Sequence, residues 1–216
     1  MSLVLDRACV RHRDGPPLFA PLSLGVGPGE MATVMGPSGV GKSTLLDAIG
    51  GHLAPGFVVS GQITLNNVDV AALPAERRRI GLVFQDALLF PHLSVGDNLA
   101  FGLTRSVRGR AARRAAVDEA LVQAGLDGMA NRDPATLSGG QRARAALMRT
   151  ILSQPEALLL DEPFGKLDAE LRAEMRAFTL SHIRRLGMPA LLVTHDPDDA
   201  AAAGGPIIAL GPGNQI

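Results

Sequence analysis

The sequence predicts an α/β fold, because short apolar runs bounded by glycine or proline alternate with stretches of helical periodicity. Runs that are apolar throughout suit strands covered on both faces of a sheet. The predicted strands are Met31–Met35, Ile80–Phe84, Ala157–Leu160, Ala190–Thr194 and Ile207–Leu210. Apolar residues at helical spacing are Val117, Leu121 and Ala124 before Gly125, and Leu171, Met175 and Phe178 after Asp168.

Two segments depart from this alternation. The first thirty residues favour antiparallel strands, because Leu3–Leu5 and Leu22–Val26 are followed by the turn dipeptide Pro28-Gly29. Residues 86–135 contain helices and loops without a clear strand, which indicates a helical insertion. We therefore predict one domain, a mixed sheet flanked by helices. Its core and N-terminal antiparallel β subdomain are assigned residues 1–85 and 154–216, and its inserted α-helical subdomain residues 86–153.

The composition is that of a globular protein without a strong overall charge. Among 216 residues, 46% are hydrophobic, and the 21 basic residues balance the 21 acidic ones. This balance argues against nucleic acid as a partner. Because Cys9 is the single cysteine, an internal disulfide is excluded. No stretch of apolar residues approaches the roughly 18 that a membrane-spanning helix needs. The N-terminus also lacks the pattern of a signal peptide. We expect a cytoplasmic protein without direct membrane insertion, and membrane contact only through a partner.

A phosphate-binding loop follows the first predicted buried strand. The segment fits G-x-x-x-x-G-K-[ST] and continues into a predicted helix, the context that this pattern requires. Its backbone N–H groups and the helix N-terminus would bind phosphates, Lys42 would reach the β- and γ-phosphates, and Ser43 would bind Mg²⁺. The candidate nucleotide-binding residues are Gly36, Pro37, Ser38, Gly39, Val40, Gly41, Lys42, Ser43 and Thr44.

Polar residues follow three of the other predicted strands. Asp161 and Glu162 close one of them, where Asp161 would hold Mg²⁺ through a water and Glu162 would polarise the attacking water. Gln85 ends a second strand. Its side-chain amide would contact Mg²⁺ or the attacking water, or else Gln85 is an ordinary surface residue. His195 follows a third and is either structural or catalytic.

A second candidate anion site lies in the segment Leu137–Gln141. Ser138, Gly139, Gly140 and Gln141 precede a helix and leave backbone N–H groups open to a negatively charged oxygen. The chain already has one complete phosphate site. The second one is surplus unless it serves a nucleotide held by another copy.

Taken in order, these motifs resemble those of the ATP-binding cassette (ABC) ATPases over nearly the whole chain. The resemblance implies a P-loop NTPase core with Gly36–Ser43 as Walker A, Gln85 as the Q-loop and Leu137–Gln141 as the signature. It further implies Walker B with the catalytic glutamate at 158–162, the D-loop aspartate at Asp168, and the switch histidine at His195. Cassettes of this family dimerise head to tail and bind two ATP molecules with Mg²⁺ between the Walker A loop of one and the signature of the other.

Further details resemble importer cassettes of the sulfate, iron, polyamine and thiamine groups. They lie in Phe84-Gln85-Asp86, Leu89–Val95 and Asp97-Asn98. In that family, residues 86–105 form a groove that receives a helix of the transmembrane permease subunits, which implies a peripheral position on the inner face of the cell membrane. Since the chain ends soon after its last predicted strand, we expect no C-terminal regulatory domain.

Two positions depart from the family pattern. His12 stands where the family usually has the aromatic residue that stacks on adenine, and Phe19 is either a rival for this role or a core residue. Gly165–Asp168 reads Gly-Lys-Leu-Asp where the family commonly has Ser-Ala-Leu-Asp. The leading hypothesis is the ATPase subunit of an importer, and the alternative is an ABC ATPase of a membrane complex that signals or acts in cell division or lipoprotein release. A repair or translation cassette is disfavoured, because each motif occurs once and Walker A lies only about a hundred residues before the signature.

Overall fold

The computed structural model describes residues 1–211, which form two compact units. The first unit comprises Met1–Leu82, Glu156–Glu162 and the chain from Leu180 on, and the second comprises Val83–Pro155 and Pro163–Thr179. Over these residues the strands are β1 (Leu3–His12), β2 (Leu22–Val26), β3 (Met31–Met35), β4 (Phe57–Leu65), β5 (Val68–Asp69), β6 (Ile80–Val83), β7 (Ala157–Asp161), β8 (Ala190–Val193) and β9 (Ile207–Ala209). The helices are α1 (Lys42–Gly50), α2 (Val95–Gly102), α3 (Arg110–Gln123), α4 (Gly139–Leu152), α5 (Ala169–Leu186) and α6 (Pro197–Ala203).

A four-stranded antiparallel sheet with the order β2-β1-β4-β5 begins the chain. In β2, Leu22, Leu24 and Val26 are buried and alternate with exposed residues, as expected for a sheet with one face on the core. The predicted N-terminal antiparallel strands are confirmed. The partners β4 and β5 lie outside the segments that we predicted as strands, because glycine and polar residues interrupt the apolar pattern of β4.

The second sheet, β6-β7-β8-β3-β9, contains all five predicted strands. Strands β3, β7 and β8 are buried as predicted, whereas the edge strand β9 is largely exposed and β6 is only partly buried, because an edge strand has a neighbour on one side only. Strands β7 and β3 pair in parallel with β8, and β9 pairs in parallel with β3. Every residue of β8 is buried, which explains its uninterrupted apolar sequence. The α/β fold class is confirmed, with the antiparallel and parallel ladders in separate sheets. The parallel register brings the carboxyl ends of β3, β7 and β8 to one edge.

A buried arginine holds the C-terminal end of α1. The Arg78 guanidinium donates to the carbonyls of Ala48 and Ile49 at 2.7 and 2.8 Å, so that it neutralises the negative end of that helix. It also donates to Leu73 and Ala71 at 2.8 and 2.9 Å. Burial lowers the pKa of Arg78.

The second unit is helical, and its loops are held by buried polar side chains. Asn98, which is fully buried, accepts from the backbone N–H of Phe90 at 2.7 Å and donates to the carbonyls of Phe90, Leu93 and Ser94. Helix α3 ends at Gln123, two residues before Gly125, which adopts the predicted left-handed conformation with φ 66°.

Residues 163–179 belong to the second unit, whereas our sequence-based division places them with the core. Within this unit, side chains of α5 contact α4. Arg144 pairs with Glu174 at 2.5 Å and lies over the Phe178 ring at 5.8 Å. Helix α5 begins as predicted after Asp168, which accepts from the N–H of Leu171 at 3.0 Å.

We predict that Arg78→Met lowers the free energy of unfolding by about 3 kcal/mol, because it removes the donor from four carbonyls, two of them in buried hydrogen bonds. Urea unfolding followed by circular dichroism measures the change. The control is Arg77→Met, since the neighbouring Arg77 is exposed and its loss should cost within about 0.5 kcal/mol. Equal stabilities of the two variants would contradict this role of Arg78.

Candidate nucleotide-binding site

The phosphate-binding loop connects β3 to α1 in the first unit. Gly39 and Gly41 have φ angles of 79° and 101°, which side chains with a Cβ rarely adopt. A methyl group at Gly36 would lie 2.7 Å from the Leu210 carbonyl oxygen, so that only glycine fits there. Pro37, Ser38 and Gly39 are exposed. The loop therefore presents bare backbone at the N-terminus of a helix, the arrangement that binds phosphate.

Lys42 is folded into this loop. Its ammonium donates to the carbonyls of Gly36 and Pro37 at 2.9 and 3.1 Å, and the residue is only 7% exposed. Phe19, which is fully buried, lies beneath the loop and would be 3.1 Å from a methyl group at Gly41. Phe19 is thus a core residue that supports the loop, which removes it as a surface for a nucleotide base.

Ser43 and Asp161 meet beside the lysine, although 118 positions separate them in the sequence. The Ser43 hydroxyl donates to Asp161 Oδ1 at 3.2 Å. Burial raises the pKa of Asp161, and the neighbouring Glu162 raises it further, whereas the Ser43 hydrogen bond and Lys42 lower it. A hydroxyl and a carboxylate next to a phosphate loop form the oxygen donor set that Mg²⁺ prefers. Within residues 1–211, no group of three or more His, Cys, Asp or Glu side chains could hold a metal ion.

Glu162 and His195 form a second pair at the same edge of the sheet. Glu162 Oε1 lies 3.1 Å from His195 Nδ1, and the Glu162 N–H donates to the Val193 carbonyl at 2.9 Å. The φ of Glu162 is 45°, a strained conformation for a residue with a side chain and one that is common at functional sites. The structure therefore brings together the two residues that the sequence could only suggest separately.

The turn that carries His195 is fixed by residues that our sequence reasoning missed. Thr194 Oγ1 donates to the buried carboxylate of Asp199 at 3.2 Å and accepts from the N–H of Asp196 at 3.0 Å. The sequence feature that predicts this turn is an aspartate followed by a proline, since Asp196 caps α6 and Pro197 is its first residue.

His12 ends β1 on the exposed surface of the first unit. Its ring contacts the ring of Phe57 edge-on, with 5.5 Å between centroids. The imidazole is exposed while Phe19 is buried, so His12 is the one of these two candidates that a base could contact.

The remaining predicted site residues belong to the second unit. Ser138 and Gln141 form a capping box, in which Ser138 Oγ accepts from the Gln141 N–H at 3.2 Å and Gln141 Oε1 accepts from the Ser138 N–H at 2.9 Å. The helix leaves its first two N–H groups, those of Gly139 and Gly140, without intrahelical acceptors. Gln85 follows β6 on the exposed surface, and Asp168 caps α5.

The segment predicted as a docking groove carries exposed apolar side chains. Within this segment, residues 86–105, Leu88 and Phe101 are 55% and 68% exposed, and Phe84 just before it is 44% exposed. The Phe90 ring contacts that of Phe101 at 4.8 Å between centroids, and the Arg149 guanidinium lies 5.1 Å from the Phe90 centroid. Exposed apolar side chains that form a contiguous patch are typical of an interaction surface. Among the described residues, no helix is sufficiently long and apolar to cross a bilayer.

Comparison with known proteins connects this geometry to a family. Residues 19–165 match the family description "ABC transporter". An uncharacterized ABC transporter ATP-binding protein of Escherichia coli is 49% identical over 86% of this chain and 85% of its own length. A Fe(3+) ions import ATP-binding protein of Rhizobium meliloti is 44% identical over 89% of this chain. A sulfate/thiosulfate import ATP-binding protein of Mycobacterium bovis is 48% identical over 80% of it. The alignments span about half of these two import proteins, 54% and 48% of their lengths.

Solved structures agree. CbiO1 from Clostridium perfringens, part of the ABC transporter complex CbiONQ, has a TM-score of 0.85 and 28% identity, covering 98% of this chain and 85% of that one. The ATP-binding cassette MJ0796, a dimer in a post-hydrolysis state with ADP and Pi, has a TM-score of 0.79 and 30% identity, covering 99% and 95%. The phosphate loop, the Ser43–Asp161 and Glu162–His195 pairs and these matches lead to one conclusion: the chain is an ATP-binding cassette ATPase of the ABC transporter family.

Proposed function

We propose that this ATPase energises the import of a solute through separate transmembrane permease subunits, and that two copies close head to tail around ATP. One observation carries the catalytic part of the proposal. At one edge of the parallel sheet, Ser43 contacts Asp161 at 3.2 Å and Glu162 contacts His195 at 3.1 Å, next to the lysine of the phosphate loop.

The first unit supplies the groups that bind the phosphates. The backbone from Gly36 to Thr44 surrounds the β-phosphate, and Lys42 exchanges the carbonyls of Gly36 and Pro37 for phosphate oxygens. This exchange lets the buried ammonium keep its hydrogen bonds while its charge is neutralised. Ser43 and Asp161, which contact each other, would hold Mg²⁺, which neutralises charge that develops on the phosphates. Gln85 stays a ligand predicted from the sequence.

Glu162 and His195 act on the attacking water and the γ-phosphate. The Glu162 carboxylate accepts a hydrogen bond from the water and polarises it. His195 orients that carboxylate through the 3.1 Å contact and is placed by the Thr194–Asp199 hydrogen bond. The strained backbone of Glu162 helps to hold the carboxylate in one direction.

The signature of a second copy completes each site. The capping box occupies the N–H groups of Ser138 and Gln141, and the N–H groups of Gly139 and Gly140 remain for a γ-phosphate oxygen. Asp168 lies close to that interface in our proposal. The dimeric form of the MJ0796 cassette, 30% identical to this chain, supports the arrangement. An isolated monomer is therefore expected to be nearly inert.

The importer assignment is supported by the relatives and by the apolar segment of the second unit. The printed names of two relatives are those of iron and sulfate import proteins. The exposed Phe84, Leu88 and Phe101 offer the apolar contact that a permease helix would cover. Such docking places the chain peripherally on the inner face of the cell membrane.

We propose that His12 stacks on the adenine ring. His12→Ala should weaken ATP binding about two- to ten-fold because a ring contact is lost, and His12→Tyr should tighten it because the larger ring offers more contact area. Titration with fluorescent nucleotides measures both affinities, and His92→Ala is the control because His92 is an exposed histidine of the other unit. Unchanged affinities in both His12 variants would exclude the stacking role.

Glu162→Gln should leave ATP binding intact and lower hydrolysis by at least about 100-fold, because the amide cannot accept a proton from water. An ATP-bound dimer should then accumulate, which size-exclusion chromatography with and without ATP detects. Glu76→Gln changes an exposed glutamate of the same unit and should behave as wild type. Normal turnover by the Glu162 variant would mean that another group is the base.

Mixing two inactive variants tests whether the sites are shared. A Lys42→Ala chain lacks the phosphate lysine and a Ser138→Arg chain blocks the signature, so each alone should be inactive. A mixed dimer regains one intact site, and an equimolar mixture should recover up to about a quarter of wild-type activity. No recovery in the mixture would mean that each chain forms its own complete site, and full activity of either variant alone would mean that its altered residue is not needed.

A further inference from the structure

An ion pair joins two segments of the second unit that each carry a proposed site residue. Lys166 Nζ lies 2.5 Å from Asp86 Oδ1, and the two side chains are 56% and 63% exposed. Asp86 directly follows Gln85, and Lys166 lies two residues before Asp168. Lys166 lies in the segment Gly165–Asp168, which reads Gly-Lys-Leu-Asp where the family commonly has Ser-Ala-Leu-Asp.

The loop that carries Lys166 is held as one body. The Leu167 N–H donates to the Phe164 carbonyl at 3.1 Å, and the Arg172 guanidinium donates to the carbonyls of Phe164 and Gly165 at 3.1 and 3.4 Å. Asp168 is fixed by its own cap at the start of α5. A backbone shift at Lys166 therefore also displaces the adjacent Leu167.

Leu167 in turn lies against the signature. A methyl group on Gly139 would be in ordinary contact with Leu167 Cδ2, at 3.8 Å. On Gly140, a methyl group would be 3.0 Å from Leu171 Cδ2, which is tighter than an ordinary contact. Leu167 of the loop and Leu171 of the first turn of α5 therefore pack next to Gly139 and Gly140.

We propose that Lys166 and Asp86 are positioning residues that connect the segment after Gln85 to the signature glycines. Pulled towards Asp86, Lys166 keeps Leu167 beneath Gly139, so that the glycine N–H groups are oriented for the phosphate of the second copy. This inference rests on the proposed shared site. It implies that the pair affects dimer closure and turnover, and leaves nucleotide binding to the chain's own phosphate loop unchanged.

The test compares Lys166→Ala, Asp86→Ala, the double variant and the charge exchange Asp86→Lys/Lys166→Asp, with Lys166→Arg as the conservative change. Because the pair is exposed, each single alanine variant should lower kcat about two- to five-fold and raise the protein concentration for half-maximal dimerisation, measured in the Glu162→Gln background, by a similar factor. The double variant should be no worse than either single one. Lys166→Arg and the charge exchange should restore most of the activity.

Two further measurements separate positioning from a general structural role. The Kd for ADP and the melting temperature should be unchanged in every variant, because neither depends on the signature of a second copy. Arg114→Ala is the matched control, since it breaks an exposed ion pair with Asp118 on a helix of the same unit and should leave kcat unchanged.

The outcomes distinguish this inference from the function on which it rests. Normal kcat and dimerisation in Lys166→Ala, beside an active wild-type chain, would overturn the inference alone. Additive losses in the double variant, or failure of the charge exchange, would also overturn it. A wild-type chain that neither hydrolyses ATP nor dimerises through the Glu162→Gln variant would overturn the proposed shared site as well.

Discussion

The parallel pairing of β3, β8 and β7 is the constraint on which the catalytic geometry depends. Met31–Val34 pairs in register with Ala190–Val193, and Leu158–Asp161 pairs with the same strand from its other side. All three strands therefore end at one edge, where Lys42, Asp161, Glu162 and His195 come within contact of their partners. The strands hold this register because they are almost completely buried, so a shift would expose apolar side chains or leave backbone groups unpaired.

Both ends of helix α1 are held by specific contacts, and this fixes the position of the phosphate loop that precedes the helix. At its N-terminus, Gly39 and Gly41 adopt conformations that open the backbone to an anion, and Phe19 supports them from below. At its C-terminus, the buried Arg78 satisfies the last carbonyls and balances the negative end of the helix dipole. The helix dipole favours phosphate at the N-terminus and the Arg78 guanidinium at the C-terminus. Phosphate binding and the stability of the fold therefore both depend on this dipole.

The second unit repeats this use of a helix terminus, with a capping box in place of a lysine. Ser138 and Gln141 satisfy each other and leave the N–H groups of two glycines. A site with free donors and no cation of its own suits a phosphate that another chain already holds and neutralises. In our proposal, the ion pair of Lys166 with Asp86 connects this terminus to the segment after Gln85, which also contains the exposed Leu88.

Local sequence alone determined the phosphate loop, the buried strands and the capped helices, because each depends on residues within one turn or one strand. The glycines of the loop, the apolar run of β8 and the cap at Asp168 are of this kind. The tertiary structure decided what depends on distant residues: the contact of Glu162 with His195, the burial of Phe19, the carbonyl ligands of Arg78, and the grouping of residues 163–179 with the helical unit. These pairings depend on strand order and on packing between elements, which no short stretch of sequence encodes. A local motif can specify a backbone conformation, but only the folded chain decides which side chains that conformation meets.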